Sequence, residues 1–342
     1  MSATREPPVL RPPDARQGPG PMPAALIEAL DPAVNRLISR TLPGSRRAVG
    51  VGFGTELAQL RPYEPGDDVR HIDASATART GTMHVRLHVP ERALTTWIVL
   101  DLSPSMAFGT ARRLKADVAE GAALVFARLG LRRAGSVGAV AFGAGGSAGA
   151  AGSAGAAGSA GAAGSAGAAG SAGAAGSTGA AGVRVLPPRG SKPGMIALRR
   201  LLEEGVAPDG NNDSDALGDA LRRANKLAAQ PGLVVVISDF RDQTQWERPL
   251  GALRLRHATV ALEVSDPREA ELPAAGRLAL VDPESGALIQ VNSSSQRLRE
   301  RFAALERERR ERVAAELRRL GVHHVHLSTD HDWLLELGRG IR

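Results

Sequence analysis

The 342-residue chain has no cysteine, three lysines, one tyrosine and 3% aromatic residues. Without cysteine, a disulfide scaffold, a zinc–thiolate site, a thiol nucleophile and an iron–sulfur cluster are all excluded. The scarcity of aromatic rings removes the stacking platforms on which single-stranded nucleic acids are held. No apolar run approaches the roughly 18–20 residues that cross a bilayer. The first 23 residues carry seven prolines and two acids but no apolar segment of a signal peptide. They are expected to be a disordered, Pro-rich tail, and the protein to be soluble and cytoplasmic.

What is present is 43% hydrophobic residues, enough for a sizeable core, and 43 Lys+Arg against 36 Asp+Glu, a net charge of +7. Forty of the 43 basic residues are arginine, a skew that fits codon bias better than selection for phosphate binding. Nine Arg and five Glu lie between Gln296 and Leu320, around an apolar stripe of Leu298, Phe302, Leu305, Val313, Leu317 and Leu320. This predicts a helix on the protein's outside with solvated charged faces. A nucleic-acid face is the rival reading, and it requires binding that weakens steeply with salt.

Residues 24–92 read as a short helix (24–42) followed by a β-rich segment. Within it, 84–89 alternate Val85, Leu87 and Val89 with His84, Arg86 and His88, the mark of a half-buried strand. From 93 to 342, strands and helices alternate. Strands are expected at 95–101, 136–142, 183–186, 233–239, 258–264 and 322–327. Helices are expected at 111–129, 195–204, 214–229, 296–320 and 330–337. Continuous Val/Ile/Leu strands separated by helices imply an α/β fold, a doubly wound, mostly parallel six-stranded sheet covered on both faces. A hairpin is expected at 278–291, around Asp-Pro-Glu-Ser-Gly. Residues 143–182 form a low-complexity Gly/Ser/Ala loop, too small-sided and uncharged to offset its ordering entropy.

In an open parallel sheet, ligands bind beyond the carboxyl ends of the strands where the order reverses. With the order 3-2-1-4-5-6, strands one and four are neighbours there, and Asp101 and Asp239 emerge side by side. The turn Asp101-Leu102-Ser103-Pro104-Ser105 and the loop before helix 214–229 add the hydroxyls of Ser103, Ser105 and Ser214. Oxygen-only donors select a hard cation such as Mg²⁺. Hydroxyls in direct contact, with carboxylates acting through water, leave the ion electrophilic and able to accept a carboxylate from another protein.

Asp101-Leu102-Ser103-Pro104-Ser105 matches Asp-x-Ser-x-Ser in full, and so resembles the metal-ion-dependent adhesion site of von Willebrand factor A-like domains. Asp239 fits that family's distal Asp, and Ser214 stands where it usually has Thr. Arg61-Pro62-Tyr63-Glu64-Pro65-Gly66-Asp67-Asp68-Val69-Arg70-His71-Ile72-Asp73, followed by Ala78-Arg79-Thr80-Gly81, resembles the signature of the bacterial domain-of-unknown-function 58 family. In that family the segment precedes a von Willebrand A-like, Rossmann-type domain. The likeness spans about residues 45–340, apart from the repeat. Two departures are Ala74, where the family commonly has Trp, and the lack of the two N-terminal membrane helices that many members carry. The resemblance implies a non-enzymatic, Mg²⁺-dependent protein–protein interaction module. It also implies a MoxR-type AAA+ ATPase as partner, in chaperone-like assembly or maturation. The metal set would be Asp101, Ser103, Ser105, Ser214 and Asp239, with no catalytic residue. The charged residues Arg61, Asp67, Asp68, Arg70, Asp73 and Arg79 are expected to brace one another.

Other readings are weaker. A metal-dependent phosphoester hydrolase at the same Asp/Ser cluster is the alternative function, although a haloacid-dehalogenase-like phosphatase would need an acid where Ser103 stands. Gly145-Gly146-Ser147-Ala148-Gly149 matches a nucleophile elbow only formally, because no helix follows it. Gly50-Val51-Gly52-Phe53-Gly54 lacks the strand and the Lys-Ser/Thr of a phosphate loop. His324 and His326 share a strand face and have the spacing to chelate a transition metal, but polar capping of a strand end is the simpler account.

Overall fold

The computed structural model describes residues 16–41, 56–89, 94–132, 135–143, 183–207, 216–241, 245–283 and 285–341. In chain order the elements are α1 (Ala24–Thr41), β1 (Glu56–Pro62), α2 (Ala74–Thr80), β2 (His84–Val89), β3 (Thr95–Asp101) and α3 (Lys115–Leu131). There follow β4 (Ser136–Phe142), β5 (Arg184–Gly190), α4 (Ser191–Glu203), α5 (Ala216–Leu227), β6 (Leu233–Ser238) and α6 (Glu247–Arg254). The chain closes with β7 (Ala258–Ser265), β8 (Arg277–Val281), β9 (Leu288–Asn292), α7 (Gln296–Arg319), β10 (His323–Ser328) and α8 (Trp333–Gly340).

The central sheet has six strands in the order β10-β7-β6-β3-β4-β5. Numbered within the sheet and read from the β5 edge, this is 3-2-1-4-5-6, the expected doubly wound order. All pairs are parallel except β4–β5, which is antiparallel. β5 runs on to Gly190, past the expected end at 186 and through Pro187 and Pro188. Proline cannot donate to a ladder, and an edge strand tolerates it.

Alternation along β3 divides the core. Ile98 and Leu100 face a layer built from α1, α3, α4 and α8. Trp97 and Val99 face a second layer built from α5, α6 and α7. The expected inward face of α3, with Leu114, Val118, Ala122, Val125 and Phe126, is buried. α7 differs from its expected stripe. Val313 and Leu317 are buried, but Leu305 is 55% exposed and its neighbour Glu306 turns inward instead. Glu306 accepts charge-assisted bonds from Arg241, Arg309 and Arg310, which offset its desolvation.

β1 and β2 form an antiparallel pair, and β8 and β9 form the expected hairpin. The brace takes partly different partners from those expected. Arg61 holds Asp67 at 2.6 Å, Asp68 caps the Arg70 N–H, and Asp73 pairs with Arg86 at 2.6 Å while capping α2. The expected disordered tail extends to residue 23, yet residues 16–23 lie against α3 and α8. Arg16 pairs with Glu120 at 2.6 Å, and the Pro19 carbonyl accepts from Trp333 Nε1 at 2.9 Å and from Arg113. Ser214, the elbow-like Gly145–Gly149 run, Gly50–Gly54 and the repeat beyond Gly143 lie outside the described residues.

Asp266, buried at the tip of β7, ties three segments together. It accepts from Thr110 N (2.8 Å), Thr110 Oγ1 (2.6 Å), Thr329 Oγ1 (2.6 Å) and Arg268 N (2.9 Å). Burial pushes its pKa up, but these bonds outweigh it and leave the pKa below the usual value. A depressed carboxylate stabilises the fold above its unfolded pKa of about 3.9, and that contribution is lost as pH falls through the folded value. Asp266→Asn should therefore cost about 1–3 kcal/mol at neutral pH, with the gap from wild type narrowing below about pH 4. Thermal melts of both proteins at pH 7 and pH 3.5 check this, and a gap independent of pH would contradict it.

Candidate metal centre

β3 and β6 are hydrogen-bonded neighbours with Leu100 opposite Ile237, so Asp101 and Asp239 leave the sheet at the same rim. Asp101 is 3% exposed. Its Oδ2 accepts from Ser238 Oγ at 2.6 Å and its Oδ1 from Ser103 N at 2.9 Å. After Asp101 the chain turns into a 3₁₀ segment (Pro104–Ala107), closed by Met106 N donating to Ser103 O at 3.0 Å. This turn places the Ser103 and Ser105 hydroxyls 3.0 Å apart. Gly143, at the tip of β4 with φ 77°, lets the turn approach, because a Cβ there would lie 2.6 Å from Ser103 N.

Asp239 is equally buried. Its Oδ1 accepts from Arg241 N at 3.1 Å and its Oδ2 from Lys115 Nζ at 2.7 Å. Lys115 is wholly buried at the start of α3, and its ammonium also reaches Glu269 Oε1 at 2.6 Å. Phe240, the next residue after Asp239, has φ 50°, a strained conformation for a bulky side chain. Its N–H bonds Ser238 Oγ, and its ring packs edge-on against Trp246 with centroids 5.3 Å apart. The packing fixes the turn that presents Asp239.

The two carboxylates sit in opposite electrostatic settings. Burial, and then the nearby Asp239 charge, push Asp101 up to about 7. Burial also pushes Asp239 upward, but the Lys115 ammonium and Arg241 outweigh it and bring Asp239 down to about 2.

Of the five residues expected from sequence, the structure gathers Asp101, Ser103, Ser105 and Asp239. The donors suit a hard cation because all are oxygens. Adjacent ligands of an octahedral Mg²⁺ ion with bonds near 2.1 Å lie about 3.0 Å apart, the separation of the two hydroxyls. Among the described residues, no cluster of three or more His, Cys, Asp or Glu side chains offers a competing metal site. His324 and His326 bond instead to Glu263 at 2.9 Å and Ser265 at 2.7 Å, as a polar strand end would.

Sequence reasoning missed Lys115, Ser238, Arg241 and Glu269. Lys115 did leave a signal: it is one of three lysines beside forty arginines, and it follows closely on the motif turn that ends at Ser105. Glu269 left none, because the turn after β7 brings it in from far along the chain.

Without divalent ions, Asp101 titrates near 7 in the folded chain and near 3.9 when unfolded. The unfolded state then binds fewer protons between those values, so stability falls as pH rises through them. Asp101→Asn removes that loss. In a chelator, the variant should be more stable than wild type at pH 8, by about 1–3 kcal/mol, and the difference should close toward pH 4. Equal melting temperatures at pH 8 would contradict the buried carboxylate.

A family model described as protein of unknown function DUF58 matches residues 59–150 and 154–312. The chain is 34% identical over 342 residues to Uncharacterized protein Rv1480 of Mycobacterium tuberculosis (strain ATCC 25618 / H37Rv), covering 99% of this chain and 96% of the relative. Uncharacterized protein Mb1516 of Mycobacterium bovis matches to the same extent. Uncharacterized protein MAV169 of Mycobacterium avium is 40% identical over 124 residues, covering 36% of this chain and 71% of that protein. Among solved structures, conserved hypothetical protein BatB from Bacteroides thetaiotaomicron aligns with a TM-score of 0.39 at 14% identity, over 72% of this chain and 97% of that one. An aerotolerance-related membrane protein from Bacteroides fragilis NCTC 9343 aligns with a TM-score of 0.38 at 14% identity, over 72% and 98%.

Proposed function

Given that the chain belongs to the DUF58 family, we propose that it is a non-enzymatic, magnesium-dependent protein-interaction module. The observation that carries this reading is the pair of hydroxyls, Ser103 and Ser105, 3.0 Å apart at the rim beside two buried carboxylates. In this reading Ser103 and Ser105 hold Mg²⁺ directly, and Asp101 and Asp239 hold its water ligands. The bound ion supplies an electrophilic position that accepts an acidic side chain from a partner. The chain's own residues do the positioning: Ser238 and the Ser103 N–H fix Asp101, and the Arg241 N–H fixes Asp239. The resemblance to the family points to a MoxR-type AAA+ ATPase as partner, in chaperone-like assembly or maturation in the cytoplasm. No helix among the described residues is long and apolar enough to cross a membrane.

One observation favours the hydrolase alternative. Asp101, with a pKa near 7, is poised as a general base at neutral pH. Against it, Lys115 and Arg241 hold Asp239 ionised, so the second carboxyl has no proton to give as a general acid.

A pull-down with a MoxR-type ATPase, in Mg²⁺ and in chelator, checks the interaction reading. Binding should weaken at least about tenfold in chelator and in Ser103→Ala, a loss on the order of 1.4 kcal/mol. Binding indifferent to both would remove the metal bridge. Turnover of a phosphoester panel that disappears in Asp101→Asn would favour the hydrolase.

A further inference from the structure

The Asp239 carboxylate already has a cation. Lys115 Nζ lies 2.7 Å from Asp239 Oδ2 and 2.6 Å from Glu269 Oε1, with none of its side chain exposed. The ammonium is aimed from a fixed base. Lys115 N donates to Phe108 O at 2.9 Å, and Asp117 caps the helix start by accepting from Leu114 N at 3.1 Å. On its far side, Glu269 also faces Arg241 Nε at 3.2 Å.

The charges around the rim almost cancel without any added ion. Asp101, Asp239 and Glu269 are the negative groups, and Lys115 and Arg241 the positive ones. A divalent ion entering this set meets a buried positive charge that already satisfies one of its carboxylates. In a poorly screened interior, like charges so placed repel strongly.

We propose that Lys115 is the resident cation of this site, and that its ammonium and a divalent ion compete for the Asp239 carboxylate. This rests on the metal reading above and deepens it. Metal occupancy and the Lys115–Asp239 ion pair exclude one another, and Glu269 is the carboxylate to which the displaced ammonium retreats. Binding is therefore weak and reversible, and the loaded state differs from the empty one in where Lys115 sits. The metal is thereby coupled to the first turn of α3 and to the turn after β7.

The test is calorimetric titration of Mn²⁺ into the full chain and into Lys115→Met. Removing the competing charge should tighten binding at least about tenfold. Because that variant leaves two buried carboxylates short of a partner, its folding is checked by circular dichroism, and a second measurement uses wild type alone. With only three lysines in the chain, isotope-labelled lysine gives a simple NMR spectrum. Added Mg²⁺ should shift the Lys115 ammonium signal and leave the exposed Lys192 and Lys226 in place. If wild type binds the ion and Lys115→Met binds it no tighter, or if Mg²⁺ saturates without moving the Lys115 signal, the competition is overturned and the metal reading stands. If millimolar Mn²⁺ binds neither wild type nor the folded variant, or binds not even wild type where the variant does not fold, both fall.

Discussion

The rim of the sheet depends on one buried ion pair, Lys115 with Asp239. Either charge alone in that place would be costly: breaking a buried pair by removing one partner costs about 3–5 kcal/mol. Together, with Glu269 closing the far side of the ammonium, they join the start of α3, the tip of β6 and the turn after β7. These segments are distant in sequence, and their meeting point fixes where Asp239 stands relative to Asp101. The contrast between the two carboxylates follows from it, since the one beside the ammonium is held ionised and the one farther away is left to burial and to its neighbour's charge.

From Glu269 the alternation of charge continues outward. Arg241 bridges Glu269 and Glu306, Arg309 bridges Glu306 and Glu263, and His324 closes on Glu263. This network accounts for α7. Several of its arginines are spent on carboxylates within the protein, so a helix that is strongly basic in sequence is less so as a surface. Arg309 also donates to the backbone carbonyls of Asp239 and Phe240, which ties that helix to the strained turn at the rim.

Much of this was legible in the sequence, and for a physical reason. Strands buried on both faces are written as uninterrupted Val/Ile/Leu runs, so β3 and β4 fall at their expected limits and the sheet order follows from the βα alternation. The Asp-x-Ser-x-Ser turn is local, so its hydroxyls could be placed from one short run of consecutive residues. Residues that act across the fold were not legible. Glu269 reaches the site only because β7 lies two strands from β3, and Glu306 reads as a surface residue until Arg241, Arg309 and Arg310 surround it. Leu305 was expected inward because apolar spacing was counted and the pairing of a buried Glu was not. The segment 16–23 holds to α3 through Arg16 and the Gln17 N–H, and to Trp333 of α8 through the Pro19 carbonyl, groups that composition does not reveal.

The central claim is that oxygen donors from the tips of β3 and β6 hold a divalent cation. Anomalous scattering from a crystal of the full chain soaked in Mn²⁺ tests it most directly. The account predicts one strong peak within bonding distance of the Ser103 and Ser105 hydroxyls, on the side where Asp101 and Asp239 converge. Density confined to other parts of the surface, with that rim bare, would contradict it.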